Sequence, residues 1–319
     1  MAQVSVIIAL YNKSKHIVRA LDSVFAQTYK DFEVIIVDDG STDNGPALVQ
    51  TYDDPRLRMV RQANQGPGAA RNRGLRESAA PLVTFLDADD EWMPTYLERT
   101  VQVLNEHPSC DVVSAACIFG TETGGLSHFQ PLGLTEGPLH IDRWPKRRGL
   151  ARMTYILHSM TTLSRREVLD TYGGFYEKNH CTYGEDRYLW LQVLFGRSIY
   201  LLVEPLGWYH QEASELACGL ARGRPLEPMF TDPEPIRRRC PPDRRALLEQ
   251  VLAQLALAAA HDLAALGDLT RAAWLWHAFP LMRTRRWEYL KLRVKLAAPS
   301  LVPRIRGIKR VLRGAGNVR

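Results

Sequence analysis

Leu82-Val83-Thr84-Phe85-Leu86-Asp87-Ala88-Asp89-Asp90 runs a short apolar, β-branched stretch straight into three carboxylates. A run of that length bounded by polar residues reads as a strand buried on both faces, the kind found in parallel sheets. Open α/β sheets bind ligands just beyond the carboxyl ends of their strands, which is where these acids fall. In an extended segment residues two apart share a face, so Asp87 and Asp89 can present together. Such a pair suits a hard divalent cation that completes its shell with water and phosphate oxygens. Asp90, the third acid, reads as a helix cap.

The same grammar extends outward. Val4 to Leu10 and Phe32 to Val37 are two more buried runs, the second ending in Asp38-Asp39-Gly40-Ser41. Leu57 to Val60 and Asp111 to Phe119 read as strands as well. Between them lie helical segments: Ser14 to Gln27, with Ile17, Leu21, Val24 and Phe25 on one face; Asn44 to Tyr52; a Gly-rich bend and helix, Asn64 to Gly74; and Pro94 to Asn105, with Pro in its first turn. This alternation predicts an α/β fold with a mostly parallel, Rossmann-like central sheet flanked by helices.

Further on the pattern loosens. Gly120 to Gly149 is rich in Gly and Pro and reads as a long loop or flap. Met160 to Leu163 reads as a strand, Arg165 to Tyr172 as a helix stopped by Gly173-Gly174, and Glu185 to Phe195 as a helix opened by Gly184. Ile199 to Val203 and Gly207 to His210 are short strand candidates. Gln211 to Asp243 is Pro-rich and poor in apolar residues, so we expect a mobile linker there. From Arg244 onward the composition is helical, broken at Gly267, Pro280 and Pro299 to Pro303.

Apolar residues make up 45% and charged residues 24%, which excludes collagen, low-complexity disorder and a disulfide mini-scaffold. The net charge of +6 is unevenly spread: residues 281–319 carry +11 and the remainder −5. The five cysteines, Cys110, Cys117, Cys181, Cys218 and Cys240, show no C-x-x-C pair, so zinc and disulfide frameworks are not indicated and a reducing compartment is expected. Met1-Ala-Gln-Val-Ser lacks a basic n-region, and the apolar stretch Ala246 to Leu266 contains Glu249, His261 and Asp262. The expected location is therefore cytoplasmic.

Four motifs in order, Val4-Ser-Val-Ile-Ile-Ala-Leu-Tyr-Asn12, Val34-Ile-Ile-Val-Asp-Asp-Gly-Ser-Thr-Asp43, Asn64-Gln-Gly-Pro-Gly-Ala-Ala-Arg-Asn-Arg-Gly74 and Phe85-Leu-Asp-Ala-Asp-Asp90, closely resemble glycosyltransferase family 2. The likeness continues through Gly184-Glu185-Asp186 and more loosely to Trp208 through Ser214. It implies a GT-A fold: residues 1–120 as the nucleotide-sugar half, 121–215 as the acceptor half, 216–243 as a linker and 244–319 as a helical basic region outside the resemblance. It implies a nucleoside diphosphate sugar donor, UDP-sugar favoured, a saccharide or lipid-linked acceptor, and an inverting transfer serving cell-surface polysaccharide.

By the same resemblance Ala9 and Tyr11 contact the nucleobase, with Tyr11 packing on the ring. Asp39 accepts the base N–H beside its structural neighbour Asp38, and Arg71 contacts base or diphosphate. Asp87, followed by Ala88, contacts the ribose or sugar. Asp89, with Asp87, would hold Mn²⁺ or Mg²⁺, the DXD arrangement, and His210 stands open between a further metal ligand and a half-buried strand histidine. Asp186 is implied as general base, with Glu185 structural or an acceptor contact. Gly66-Pro67-Gly68 would permit close backbone approach.

The basic tail, with Ile305, Ile308, Val311 and Leu312 among Arg304, Arg306, Lys309, Arg310 and Arg313, reads either as peripheral contact with the inner face of a membrane or as a solvated face. No base-reading motif supports nucleic acid. A dehydrogenase lacks its Gly fingerprint after the first strand. A nucleotidyltransferase lacks a Gly-rich loop there. A non-catalytic nucleotide-sugar-binding protein is the alternative from another class.

Overall fold

The computed structural model describes residues 2–119, 126–127, 129–144, 149–213 and 224–297. These fall into two compact units. One holds 2–213 and 226–242; the other holds 224–225 and 243–297.

In chain order the first unit comprises β1 (Val4–Leu10), α1 (Ile17–Phe25), β2 (Phe32–Asp38), α2 (Gly45–Val49), β3 (Leu57–Arg61), α3 (Pro67–Glu77) and β4 (Leu82–Asp87). Then come β5 (Glu91–Trp92), α4 (Tyr96–Glu106), β6 (Val112–Phe119), β7 (Leu126–Ser127), β8 (Gly137–Pro138) and β9 (Thr162–Arg165). It closes with α5 (Arg166–Tyr172), α6 (Glu185–Gly196), β10 (Ile199–Tyr209), α7 (Pro228–Thr231) and α8 (Glu234–Arg239).

Among the described residues the strands form one sheet in the order β3-β2-β1-β4-β9-β6-β10-β5, with β7 on β6 and β8 on β10. β3, β2, β1 and β4 are mutually parallel, as are β6 and β10. β9 is antiparallel to both β4 and β6 and joins the two parallel groups. Val4, Val6, Ile7 and Ile8 of β1 and Val34 to Val37 of β2 are fully buried, as expected of strands covered on both faces. α3 packs against β1 and β2 because Gly74 has no side chain; a Cβ there would drive into Ile7 Cγ2. Register aligns the strand ends: Ala9 pairs with Asp87 across β1 and β4, and Leu10 with Asp38 across β1 and β2.

Several elements differ from expectation. The two short strands at 199–203 and 207–210 are one strand, β10, with irregular register around Pro205, which has no N–H to donate. Met160 and Thr161 lie in a 3-10 turn, so the strand begins at Thr162. The short strand β5, paired to β10, carries no sequence signal of its own. Within the expected flap, described residues form only β7, β8 and 3-10 turns; 120–125, 128 and 145–148 lie outside the described residues. Of the expected linker, 214–223 lies outside them too, while 228–239 folds as α7 and α8 because Met229, Phe230 and Ile236 are buried.

The second unit contains α9 (Arg245–Ala265), α10 (Leu269–Ala278) and α11 (Arg286–Ala297). Asp268 caps α10, its carboxylate accepting from Arg271 N at 3.0 Å. Among the described residues no helix is long and apolar enough to cross a membrane. Among the described residues Cys110, Cys117, Cys181 and Cys240 form no disulfide; Cys218 lies outside them, as does the tail from 298.

Candidate functional site

A cavity of about 500 Å³ opens at the carboxyl ends of β1, β2 and β4. Ala9, Tyr11, Asp39, Arg71, Asp87, Ala88, Asp89 and Glu185 all line it, so eight of the expected site residues converge. Asp38, Asp186 and His210 do not line it.

The turns after β1 and β2 are stitched together. Asn12 takes a left-handed conformation, φ 51°, and its amide N–H donates to Ser41 Oγ at 3.1 Å. Its side-chain oxygen accepts from Thr42 N at 2.8 Å. Tyr11, just before it, is left 47% exposed at the cavity, an apolar ring with room for a planar partner. Asp38 is fully buried, accepts from Ser41 N at 2.8 Å and pairs with Arg61 at 3.1 Å, which makes it a strut of this turn. Asp39 Oδ1 accepts from Gln62 Nε2 at 2.8 Å and Gln65 N at 3.0 Å, and its Oδ2 from Gly66 N at 2.9 Å. The carboxylate thereby anchors the Gly-rich bend while facing the cavity.

That bend admits the second half of the unit. Gly66 has φ 93°, and a Cβ on it would lie 2.7 Å from Cys181 O. A Cβ on Gly68 would lie 2.5 Å from Tyr176 O and 3.1 Å from Glu185 Cγ. The close approach these glycines permit is that of 176–185, the segment leading into α6.

α6 starts at Glu185 after Gly184, whose φ of 80° ends the preceding loop. Glu185 is 6% exposed and bonded to Arg71 Nη1 at 2.9 Å. Arg71 Nη2 reaches Asp87 Oδ1 at 2.6 Å. This guanidinium is itself buried and lies 5.1 Å from the Phe175 ring centroid. Burial disfavours its charge, but Asp87, Glu185 and Asp186 outweigh that and hold it firmly protonated. Burial and the neighbouring Asp186 charge push the Glu185 carboxyl up to about 7, against the pull of Arg71. Asp186 is half-buried, with Oδ1 accepting from Arg187 N at 2.7 Å.

Burial first, then the charge of Asp87, raises the Asp89 carboxyl, while Lys13 pulls it down. Lys13 Nζ stands 2.9 Å from Asp89 Oδ2. Asp90 is not a helix cap: α4 begins at Tyr96 beyond β5, with Thr95 at its cap position. Asp90 is 1% exposed, and its Oδ1 accepts from His210 N at 3.0 Å, so it pins the end of β10. Burial and the charges of Asp87 and Asp89 push its carboxyl far up.

His210 is held elsewhere. Its Nδ1 lies 2.9 Å from Glu212 Oε1 and its Nε2 3.3 Å from Glu91 Oε1, with the ring stacked on Trp208. Among the described residues no three His, Cys, Asp or Glu side chains form a metal-ligand set. The two aspartates alone still fit a hard divalent ion. They open on one cavity, and Asp89 already holds a cation in the Lys13 ammonium.

Sequence reasoning missed Lys13, which lines the cavity, and gave Arg71 a ligand role without its two acid partners. A lysine near a helix start carries no signal beyond solvation; its contact with Asp89 is made only by the sheet order.

Comparison with known proteins agrees with this geometry. Residues 5–172 match the family described as Glycosyl transferase family 2. The succinoglycan biosynthesis protein ExoW of Rhizobium meliloti is 39% identical over 143 residues, 43% of either chain. The matched stretch thus spans less than half the length of that curated relative. The crystal structure of S. aureus TarS 1-349 in complex with UDP-GlcNAc superposes with TM-score 0.69 at 20% identity, covering 100% of this chain and 93% of that one. The mannosyltransferase PcManGT from Pyrobaculum calidifontis, in complex with GDP-Man and Mn²⁺, gives TM-score 0.53 at 20% identity over 94% of this chain and 84% of that one. At such identities the structural likeness speaks to the fold, which is GT-A.

Proposed function

Since the chain belongs to glycosyl transferase family 2, we propose that it is an inverting, metal-dependent glycosyltransferase that moves a sugar from a UDP-sugar to a hydroxyl of a saccharide or lipid-linked acceptor in cell-surface polysaccharide synthesis. The observation that carries this reading is the single cavity lined by Tyr11, Asp39, Asp87, Asp89 and Glu185, where strand ends of the first half meet the start of α6. TarS, which shares the fold, is seen with UDP-GlcNAc, and ExoW is named for succinoglycan biosynthesis.

On this reading residues 1–120 form the donor half and 121–215 the acceptor half. Tyr11 covers the base and Asp39 accepts its ring N–H, a pairing that suits a pyrimidine. Asp87 and Ala88 border the ribose. Arg71, tied to Asp87 and Glu185, fixes the distance between the donor floor and α6. Asp186 takes the proton of the acceptor hydroxyl as the oxygen attacks the anomeric carbon, and one in-line displacement inverts the configuration. Glu185 is committed to Arg71 and serves position. Asp87 and Asp89 would hold the divalent ion, which supplies Lewis-acid neutralisation of the leaving diphosphate. The basic stretch at 304–313, outside the described residues, would rest on the inner face of a membrane, where lipid-linked acceptors lie.

The test is transfer itself. With labelled UDP-glucose, UDP-galactose and UDP-N-acetylglucosamine, Mn²⁺, and envelope saccharides or lipid acceptors, one donor should give a product whose anomeric coupling by NMR is inverted relative to the donor. EDTA should abolish it. A product of retained configuration would contradict the mechanism, and transfer undiminished by EDTA would contradict the metal's role.

A further inference from the structure

Lys13 lines the cavity, although nothing in the sequence singles it out. Its backbone is fixed: the carbonyl accepts from His16 N at 2.9 Å and Ile17 N at 3.0 Å, closing the turn into α1. Its head bridges two distant segments, reaching Asp89 Oδ2 at 2.9 Å and the Ala213 carbonyl at 2.9 Å. The pair is not sealed: the side chains of Lys13 and Asp89 are 19% and 14% exposed. Arg71 offers a contrast, since its planar fork is gripped by two acids at 2.6 and 2.9 Å and its side chain is 8% exposed. An ammonium on a four-carbon stem is a compact charge with rotatable donors, so it can exchange partners where a clamped guanidinium cannot.

We propose that Lys13 is the resident cation of this cavity: it neutralises Asp89 while no divalent ion is bound, yields that carboxylate to the ion, and turns to the donor's diphosphate. Asp89 lies beside a second carboxylate, Asp87, which Arg71 already pairs, so Lys13 is the cation left to offset the charge of Asp89, whose side chain is 14% exposed. A tethered ammonium holds the D-x-D turn in its ion-ready form before the donor arrives. The same ammonium competes with the ion, so the site binds free metal weakly and binds it well only with a diphosphate to receive the lysine. The exchange with the ion stands on Lys13 and Asp89 alone; the turn to the diphosphate rests on the glycosyltransferase reading.

Titration of the full chain with Mn²⁺, following free ion by EPR and without nucleotide, tests the exchange. Lys13→Met should bind Mn²⁺ about tenfold more tightly than the parent, because a like charge has been removed from the first neighbours of the site. Lys13→Gln, which keeps a polar head, should do the same and serves if the Met variant fails to fold; melting curves on the same samples report that. Asp89→Asn should lose Mn²⁺ binding in either background. With Mn²⁺ saturating, UDP should bind Lys13→Met about tenfold more weakly, and Lys13→Arg should restore most of the loss. Mn²⁺ affinity unchanged or weakened in both neutral variants, or no Mn²⁺ binding by any form, overturns the proposal. Tighter Mn²⁺ binding by the variants with no UDP binding by the parent overturns the donor reading and, with it, the second role of Lys13.

Discussion

Asp186→Asn is expected to slow transfer by about 10²–10⁴-fold while leaving UDP affinity unchanged, the signature of a lost general base. Successive side chains on a helix point about 100° apart, so Glu185 and Asp186 cannot share one task. Glu185 turns inward, buried and bonded to Arg71 at 2.9 Å. Asp186 is half-buried and, among the described residues, keeps a local backbone bond in which its Oδ1 accepts from Arg187 N at 2.7 Å. An asparagine can keep that bond through its carbonyl oxygen but cannot take up a proton. Single-turnover rates and calorimetric UDP affinity, measured side by side, check the split. If Glu185→Gln instead showed the large rate loss with intact stability and UDP affinity, and Asp186→Asn did not, the two roles would be exchanged.

Arg71→Ala should destabilise the first unit by about 3–5 kcal/mol, because it strips the partner from a buried carboxylate. Most of that loss arises at Glu185, whose side chain is 8% exposed; Asp87, at 32%, is eased by water. The effect should depend on pH. Glu185 already sits at about 7, and removing the guanidinium raises it further. In the unfolded chain the same carboxyl returns to an ordinary value near 4.3. A group raised in the folded state stabilises fully below its unfolded pKa, and that contribution fades as pH climbs through the folded one. The variant should therefore lose most stability, relative to the parent, at pH 8, and least near pH 5, where Glu185 is neutral. Denaturant melts at the two pH values check this. An equal loss at both would mean that the Glu185 charge is not what Arg71 supports.

The first half of the sheet was legible because its signals are local. β1, β2 and β4 are β-branched runs buried on both faces, and each acid cluster follows a strand end, so sheet topology alone brings Asp39, Asp87 and Asp89 together. What escaped depends on partners far away in sequence. Asp90 looked like a cap because capping is the commonest work of an aspartate before a helix; burial and the His210 amide decide otherwise. Arg71 looked like a base or diphosphate contact until Glu185, 114 positions on, arrived beside it. β9 enters the sheet antiparallel between β4 and β6, an order no periodicity encodes. The segment expected as a linker holds only a few apolar residues among its prolines, and Met229, Phe230 and Ile236 bury enough of them to fold it.

The central claim is that the cavity at the ends of β1, β2 and β4 is a nucleotide-sugar donor site. Calorimetric titration of the protein with UDP, GDP, dTDP and CDP, each with and without Mn²⁺, tests it without any acceptor. The account predicts saturable binding of UDP that requires Mn²⁺ and is lost in Asp89→Ala. Binding of no nucleoside diphosphate under any of these conditions, by protein shown to be folded, would contradict it.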